Sequence, residues 1–177
     1  DELKRIRISS IEPTTIPDEL LEKMAKGEKL CRYLHIPIQY GEDTILRAMN
    51  RKYAAAEFAS YIENVYNRVP DVCIGTDVMV GFPGETDEQF NETYRLMKAL
   101  PFAYFHVFSY SDRNHNKSRK FDNKVPKEII DVRSQRMREL SARKRRTYFE
   151  SFIGKTETVL FEQKKNDLWT GLTDTYI

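Results

Sequence analysis

Apolar and polar residues follow one another in blocks along this chain, and the blocks have two different periods. Segments rich in apolar, β-branched and aromatic residues are typical of strands, and they occupy residues 6–11, 33–38, 72–82 and 102–110. Between them, apolar residues recur every three or four positions, which predicts amphipathic helices. The stripes of these helices are Leu20, Leu21 and Met24; Ile45, Leu46 and Met49; Phe58, Tyr61, Ile62, Val65 and Tyr66; and Phe90, Tyr94, Met97 and Leu100. Strand and helix thus alternate through four cycles, which predicts parallel strands with right-handed crossovers, in an open sheet or a segment of a barrel.

The pattern changes after residue 110. Residues 111–125 are polar and predict a long exposed loop, and Pro126 then begins a long polar helix that continues to about Phe149. Two alternating segments at 158–162 and 168–173 predict strands of a separate small β unit. We therefore divide the chain into three parts: an α/β domain at 1–125, a helical connection at 126–152 and the start of a β domain at 153–177.

Composition limits the class of protein. The 177 residues are 40% apolar, which is enough for a real core, and 29 basic residues nearly cancel 27 acidic ones to leave a net charge of +2. Global charge therefore gives no argument for a nucleic-acid partner. The only cysteines, Cys31 and Cys73, are far apart and form no C-x-x-C pair, which argues against a disulfide scaffold or a thiolate metal site and favours a reducing cytoplasm. No apolar run is long enough for a membrane span, and no secretory leader is readable.

Polar residues mark the ends of two predicted strands. Gln39, Asp77 and Glu85 lie where ligand-binding groups gather in parallel α/β barrels. A carboxylate such as Asp77, inside a strand that is otherwise apolar, is costly unless it is paired or faces a wet interior. The glycines of Gly81-Phe-Pro-Gly-Glu85 allow a ligand to approach the backbone closely, but the loop also fits a tight turn into a helix that begins with the capping-box pair Thr86 and Gln89. Gln39 is equally compatible with a ligand contact and with a satisfied loop amide.

The histidines give weaker signals. His35 and His106 lie within predicted strands and are more typical of hydrogen-bonded core or barrel histidines than of metal ligands. His115 lies in the polar loop, and no pair has the spacing of a zinc protease.

Local positive charge is concentrated on the long helix. Arg143, Lys144, Arg145 and Arg146 are consecutive and follow Arg133, Arg136 and Arg138. These residues are a candidate face for contacts with nucleic-acid phosphates, and they are also compatible with an ordinary solvated helix surface. The hydroxyl-rich and aromatic β pattern that follows favours RNA.

Five motifs in order give the chain a family resemblance. They are Arg5-Ile-Arg-Ile-Ser-Ser-Ile-Glu-Pro13, Leu34-His-Ile-Pro-Ile-Gln39, Met49-Asn-Arg-Lys-Tyr53, Thr76-Asp-Val-Met-Val-Gly-Phe-Pro-Gly-Glu-Thr86 and His106-Val-Phe-Ser-Tyr-Ser111. Together they resemble the radical S-adenosylmethionine methylthiotransferases over nearly the whole chain. The first motif and the Gly-Leu-Thr-Asp segment near the end most resemble the branch that modifies threonylcarbamoyladenosine beside the tRNA anticodon. The residues from Gly154 onward resemble the start of a TRAM domain, the RNA-binding β-barrel of the family.

The resemblance implies a chemistry and a set of binding residues. Family members use a four-iron cluster to cleave S-adenosylmethionine, and the resulting radical prepares an adenine carbon for insertion of sulfur, which is then methylated. By position in the motifs, cofactor contacts fall on Gln39, Thr76, Asp77, Gly81 and Ser10, and no side chain is assigned as a general acid or base. The tRNA partner is expected to contact Arg143, Lys144, Arg145 and Arg146 and the TRAM-like unit.

The chain also departs from the family. The C-x-x-x-C-x-x-C ligands of the cluster are absent, and Ser111-Asp-Arg-Asn-His-Asn-Lys-Ser-Arg119 stands where the family has Ser-x-Arg-x-Gly-Thr, which removes the basis for a substrate role of Arg113. We therefore expect the back part of a six-stranded partial barrel that lacks its first two strands, inactive by itself. The edge of the strand at 6–11 would then be unpaired, which predicts self-association.

Three other functions remain open at this point. The chain could belong to the related enzymes that methylthiolate an aspartate of a ribosomal protein. It could be a tRNA-binding protein without catalytic activity, or a barrel enzyme acting on phosphorylated metabolites, although the last does not explain the basic helix and the β unit after it.

Overall fold

The structure, a computed structural model, describes residues 3–112, 121 and 123–177. Residues 113–120 and 122 lie outside the described residues, and with them Arg113, His115 and most of the predicted loop. The helices are α1 (Asp18–Ala25), α2 (Asp43–Ala48), α3 (Ala55–Arg68), α4 (Asp87–Ala99) and α5 (Lys127–Glu150). The strands are β1 (Tyr33–His35), β2 (Cys73–Val80), β3 (Tyr104–Ser109), β4 (Leu160–Lys165) and β5 (Leu168–Leu172).

The first three strands form one parallel sheet in the order β1-β2-β3. The register pairs His35 with Gly75, Gly75 with Tyr104, and Asp77 with His106. The prediction of parallel strands joined by helices is therefore confirmed, and the strands all end at the same edge of the sheet.

One face of this sheet carries the main core. Leu34, Ile74, Val78, Val80 and Phe105 are almost fully buried there. Against them pack the apolar stripes that the sequence predicts, which are Leu21 and Met24 of α1, Phe58, Ile62 and Val65 of α3, and Phe90 and Met97 of α4. Met137 and Leu140 of α5, which the sequence interpretation did not single out, also pack there. We call this side the helix-packed face. None of the helices in the described ranges combines the length and the apolarity needed to cross a bilayer.

Strand β1 ends earlier than the apolar run predicts, and Pro37 and Thr76 explain why. Pro37 has no N–H to donate to a ladder. The N–H of Ile38 donates to the side-chain hydroxyl of Thr76 at 3.0 Å, and this hydroxyl donates to the carbonyl of Ile36 at 2.7 Å. Backbone pairing resumes at Gln39, which forms a parallel bridge with Val78. A threonine hydroxyl thus replaces the backbone bonds that would have continued the strand.

The expected strand at 6–11 is wrong as a continuous element. Only two isolated parallel bridges connect this segment to the chain beside it, from Ile6 to Leu30 and from Ser10 to His35. The segment still lies along the β1 side of the sheet, since the N–H of Ile11 donates to the carbonyl of His35 at 3.0 Å.

Helix α5 covers the opposite edge of the sheet and confirms the long helix predicted after Pro126. The hydroxyl of Ser141 accepts a hydrogen bond from the N–H of Phe105 at 2.9 Å and donates to the carbonyl of Phe105 at 2.7 Å. Ser141 therefore satisfies backbone groups of β3 that no strand pairs with in the described residues.

The two C-terminal strands form an antiparallel hairpin that arginines fasten to the rest of the chain. Arg5 donates to the carbonyls of Leu172 and Thr158 at 2.8 and 2.7 Å. Arg32 forms two hydrogen bonds with Asp174, at 2.8 and 3.2 Å. Most side chains of the hairpin itself are exposed, so these polar contacts carry its attachment.

Candidate functional site

The second face of the sheet, which we call the open face, carries the polar groups. Side chains alternate between faces along a strand, so His35 of β1, Asp77 of β2 and His106 of β3 share this side. His106 is exposed and Asp77 is half-buried, in contrast to the fully buried apolar residues of the helix-packed face. The open face is therefore the side of the sheet on which chemistry is accessible.

A pocket of about 310 Å³ lies where the strands end, and we call it the strand-end pocket. Polar and apolar groups are mixed in it, which suits a ligand that has both kinds of surface. Its lining consists of Gln39, Asp77, Met79, Phe108, Ser109, Tyr110 and Ser111. Two of the residues proposed from the sequence, Gln39 and Asp77, are thus brought together here.

Gln39 is held in an unusual backbone conformation. Its φ is +66°, in the left-handed region that side chains other than glycine, asparagine and aspartate rarely adopt. Its N–H donates to the carbonyl of Asp77 at 2.9 Å, and its carbonyl accepts from the N–H of Met79 at 2.8 Å. These two hydrogen bonds hold the strain in place and fix Gln39 beside the pocket.

Asp77 makes a side-chain contact that sequence reasoning missed. Its Oδ1 lies 3.1 Å from Nε2 of His35, and the ring of His106 lies 5.7 Å from the ring of His35. The sequence interpretation described the two histidines as typical of hydrogen-bonded core or barrel histidines and did not connect them with Asp77. The signal that could have joined them is the alternation of side chains combined with the parallel register, because both place the three residues on one face.

The other expected cofactor residues do not line the strand-end pocket. Thr76 is fully buried on the helix-packed face, and its hydroxyl is occupied by the backbone of Ile36 and Ile38. Ser10 is exposed and lies at the outer side of β1. Gly81 is buried against α5, where a Cβ atom would lie 2.4 Å from Cγ1 of Ile130. The side chain of Thr76 therefore faces away from any ligand on the open face.

Glu85 and Arg133 are corrections to the sequence interpretation. Glu85 was expected at an accessible strand end and Arg133 on a basic surface, but both side chains are buried and pair with each other at 3.3 Å. The N–H of Gly81 also donates to the Glu85 carboxylate, and Arg133 reaches Asp87 at 2.6 Å. Burial raises the pKa of Glu85, and the guanidinium of Arg133 acts against this rise. The pair ties the loop after β2 to α5.

The basic run of α5 is divided among different contacts. Arg143 donates to the hydroxyl of Tyr94 at 3.1 Å, and Arg146 pairs with Glu150 at 3.2 Å. Arg145 lies over the ring of Phe149. Lys144 is half-buried and donates to the carbonyl of Leu100 at 2.7 Å, and burial lowers the pKa of its ammonium group. Three of the four basic groups are exposed, whereas Lys144 helps to hold α5 against the chain at Leu100.

A layer of tyrosines closes the opposite end of the open face. The hydroxyls of Tyr33 and Tyr104 lie 2.8 Å apart, and the ring of Tyr176 packs 4.5 Å from the ring of Tyr33. Cys31 and Cys73 are buried in the same cluster as free thiols. Burial raises the pKa of the Cys73 thiol to about 12.

The family model described as the radical SAM superfamily matches residues 1–97, more than half of the chain. The chain therefore belongs to the radical SAM superfamily. The solved structure of HemN, a coproporphyrinogen III oxidase from Escherichia coli described as a radical SAM enzyme, has a similar fold. Its TM-score is 0.51 at 16% sequence identity, over 85% of this chain and 31% of that one.

Within the superfamily, the chain is similar to tRNA methylthiotransferases. It is 40% identical to the tRNA-2-methylthio-N(6)-dimethylallyladenosine synthase of Thermobifida fusca over 94% of this chain. It is 36% identical to the threonylcarbamoyladenosine tRNA methylthiotransferase MtaB of Bacillus subtilis over 99% of this chain. The chain spans 34% and 40% of the length of these two relatives.

Membership in this superfamily implies S-adenosylmethionine and an iron–sulfur cluster, and the residues present fit the two groups differently. The strand-end pocket offers a carboxylate, an amide and hydroxyls beside Met79 and Phe108, which fits a molecule with a sulfonium cation and polar nucleoside and amino-acid parts. Cluster ligands are thiolates, whereas Cys31 and Cys73 are buried and the raised pKa keeps Cys73 protonated. These two cysteines do not fit a cluster.

Proposed function

We propose that this chain forms the cofactor-binding and substrate-facing part of a tRNA methylthiotransferase that modifies N6-threonylcarbamoyladenosine. The observation that carries the proposal is similarity to tRNA methylthiotransferases along 94–99% of the chain. The relative MtaB, whose name states this substrate, matches the largest share of the chain among these three. A partial barrel with Gln39 and Asp77 at its strand ends is the fold we expect for this part.

In this proposal, Gln39 and Asp77 bind S-adenosylmethionine in the strand-end pocket. The Gln39 amide can hydrogen-bond to the ribose or amino-acid part, and the Asp77 carboxylate can accept from a hydroxyl or an ammonium group. Thr76 and Gly81 then shape the site without contacting the cofactor, because Thr76 ends β1 and Gly81 allows α5 to approach the loop after β2. Ser10 supports β1 from its outer side. Bound S-adenosylmethionine supplies the radical chemistry, and these residues supply orientation.

We further propose that the chain works as part of a longer cytoplasmic protein whose other segments hold the cluster. The fraction of the relatives that this chain spans, 34–40%, supports this view. By itself, the chain is then expected to produce no deoxyadenosine from S-adenosylmethionine.

The test of the proposed substrate is a nucleoside analysis of tRNA. A strain from which the gene has been deleted should lose the methylthio form of threonylcarbamoyladenosine, measured by mass spectrometry of digested tRNA. The natural gene should restore it, and variants Gln39→Ala and Asp77→Asn should restore much less than the matched surface variants Gln135→Ala and Asp131→Asn.

The same analysis distinguishes the nearest alternative. The highest of the three identities, 40%, is with a dimethylallyladenosine synthase, which favours that nucleoside as a second candidate. Loss of the methylthio group from dimethylallyladenosine alone would replace the threonylcarbamoyladenosine assignment. Unchanged tRNA would contradict both and leave the ribosomal-protein and non-catalytic alternatives.

We also propose that tRNA contacts the exposed basic residues of α5 and the hairpin β4–β5, which we read as the start of a TRAM domain. Phe161 and Trp169 form an exposed edge-to-face pair with centroids 6.2 Å apart, and Lys164 lies on the same hairpin. Exposed aromatic rings beside positive charge suit stacking on bases and neutralisation of phosphates. Binding of tRNA should weaken with salt, and Arg145→Ala and Trp169→Ala should weaken it further, whereas the exposed α4 variant Arg95→Ala should not.

A further inference from the structure

The open face holds a cluster of three groups that could ligate a metal ion. His35, Asp77 and His106 come from three adjacent strands, and one ligand atom of each lies within 4.8 Å of the others. The closest pair, Nε2 of His35 and Oδ1 of Asp77, is 3.1 Å apart. Asp77 and His106 are direct partners in the register of β2 and β3. The backbone of the sheet therefore sets the spacing of the cluster.

A glycine in the middle strand lets the first histidine reach the cluster. Gly75 lies beside His35 in the register, and a Cβ atom on it would come 3.0 Å from Nδ1 of His35 and 2.7 Å from the Tyr104 ring. Because Gly75 has no side chain, the His35 ring can lean across β2 toward Asp77. The Tyr104 ring packs edge-to-face against the His106 ring at 5.3 Å and supports it from the side.

The charge at this position favours a cation. The Asp77 side chain is only 18% exposed, and within the described residues no lysine or arginine forms an ion pair with it. A half-buried carboxylate flanked by imidazoles gains a partner of opposite charge when a metal binds. His106 is exposed, so the site retains access to solvent on that side.

We propose that His35, Asp77 and His106 form a binding site for one divalent transition-metal ion. Two imidazole nitrogens and one carboxylate oxygen are the ligands of mononuclear zinc and iron(II) sites that keep open coordination positions. Metal bonds of about 2.0–2.2 Å bring tetrahedral ligand atoms to roughly 3.4 Å from one another, so the 3.1 Å pair already fits. The exposed ring of His106 closes the site by a side-chain rotation. This site shares Asp77 with the strand-end pocket, but metal binding is measured without S-adenosylmethionine or RNA, so its outcome does not depend on the proposed methylthiolation.

Titration of the chain with Co²⁺ tests the site directly. After treatment with a chelator, the protein as it exists is titrated with Co²⁺ and then with Zn²⁺, without S-adenosylmethionine or RNA. We expect one equivalent of Co²⁺ to bind with visible ligand-field bands, no thiolate charge-transfer band, and displacement by Zn²⁺. Variants His35→Gln, Asp77→Asn and His106→Gln should each weaken binding by at least about tenfold, the lower limit for losing even an outer partner of a metal ligand.

The third histidine supplies the matched control. His115→Gln removes the only histidine outside the cluster and should bind Co²⁺ as the parent chain does. The exposed position of His106 means that His106→Gln tests the site without disturbing the core, and circular dichroism melting checks that each variant folds. Absence of saturable binding, a thiolate band, or equal affinity in parent and His106→Gln would overturn the proposal.

Discussion

Glu85 is a carboxylate with no exposed side-chain surface, and Arg133 is the basic group that pairs with it. Burial raises the pKa of Glu85 above the usual 4.5. At pH values between 4.5 and this raised pKa, Glu85 is protonated in the folded protein but has lost its proton in the unfolded chain. Stability therefore falls as pH rises through this window. Replacing Arg133 removes the cation that opposes the rise in the pKa of Glu85, so the pH range over which stability falls becomes wider.

We expect Arg133→Met to lower the free energy of unfolding at neutral pH by about 3–5 kcal/mol, the usual effect of leaving a buried charge alone. The loss should shrink on acidification toward the pKa of Glu85, because a protonated carboxyl carries no charge. Urea unfolding at several pH values measures it, and the double variant Glu85→Gln, Arg133→Met should lose this pH dependence. An equal loss at pH 5 and pH 8 would show that the charge of Glu85 is not the cause.

Thr76 gives a second prediction on single side chains. Thr76→Val keeps the shape but leaves the buried N–H of Ile38 without its acceptor, which should cost about 1–3 kcal/mol. Denaturant unfolding should show the loss, and the same change at exposed Thr147 of α5 should stay within about 0.5 kcal/mol. Similar values for both variants would mean that water replaces the hydroxyl at Ile38.

These residues also show how far a sequence predicts a site. Asp77 was a candidate because a carboxylate inside an apolar run is costly unless it is paired or wet, and Gln39 was a candidate because it follows such a run, although it also fits a satisfied loop amide. Thr76 was placed with them by its neighbours in the motif, although adjacent residues of a strand face opposite sides. The His35 and His106 contacts depend on the pairing of strands far apart in sequence, which a single chain's pattern does not reveal.

At the level of elements, α5 approaches the loop after β2 where Gly81 has no side chain. Gly81 and Gly84 both have positive φ, at +78° and +86°, but a Cβ on Gly84 would meet no atom within 4 Å. We expect Gly84→Ala to cost about 1–2 kcal/mol for backbone strain, and Gly81→Ala to cost a further 1–3 kcal/mol, roughly, for overpacking against Ile130.

A double-mutant cycle isolates that overpacking. Adding Ile130→Ala to Gly81→Ala should recover part of the stability lost in Gly81→Ala, because residues 81 and 130 are in contact. Gly84 and Ile130 are not in contact, so the stability losses of Gly84→Ala and Ile130→Ala should be additive in that double variant. Additive effects in both pairs would mean that α5 shifts away from the loop instead of clashing with it. Chemical denaturation of the six proteins supplies the values.

Helices α1 to α4 were predictable from sequence because each buries an apolar stripe, and Thr86 with Gln89 forms the capping box that the pattern indicates. The strands were less predictable from sequence. The apolar run at 33–38 is broken by a side-chain hydrogen bond from Thr76, and the run at 6–11 has only bridges at Ile6 and Ser10. Hydrophobic patterns record burial, but hydrogen bonds decide where a strand ends.

At the scale of the whole molecule, Arg32 connects the α/β part to the C-terminal hairpin. It binds Asp174 through two hydrogen bonds and lies 3.7 Å from both Asp71 and Glu157. Arg32→Met should therefore lower stability by about 1.5–3 kcal/mol and speed proteolysis within residues 156–172. Arg68→Met, which breaks a pair with exposed Asp18, should cost less than about 1 kcal/mol and leave the cleavage rate unchanged. Equal cleavage in both variants would mean that the hydrogen bonds of Arg5 and Tyr148 and the packing of Tyr176 on Tyr33 hold the hairpin without Arg32.

The segment 6–11, which lies along the β1 side of the sheet through isolated bridges at Ile6 and Ser10, predicts self-association. Within the described residues no strand pairs with its outer side, so its free backbone groups can pair with another chain. Light scattering should show an average mass that rises with protein concentration, and Ser10→Pro, which removes a backbone donor from the outer side of the segment, should reduce it. A constant monomer mass over the accessible concentrations would contradict the prediction.

Ser141 gives this association a limit. Its hydroxyl binds the N–H and the carbonyl of Phe105, so in the described residues helix α5 covers this part of the β3 edge. When two copies pair through the segment 6–11, the free backbone groups of each copy bind those of the other, and the result is a closed dimer with two-fold symmetry. We therefore expect assembly through this sheet to stop at two chains and not to continue into filaments, because Ser141 and helix α5 cover the second edge at Phe105.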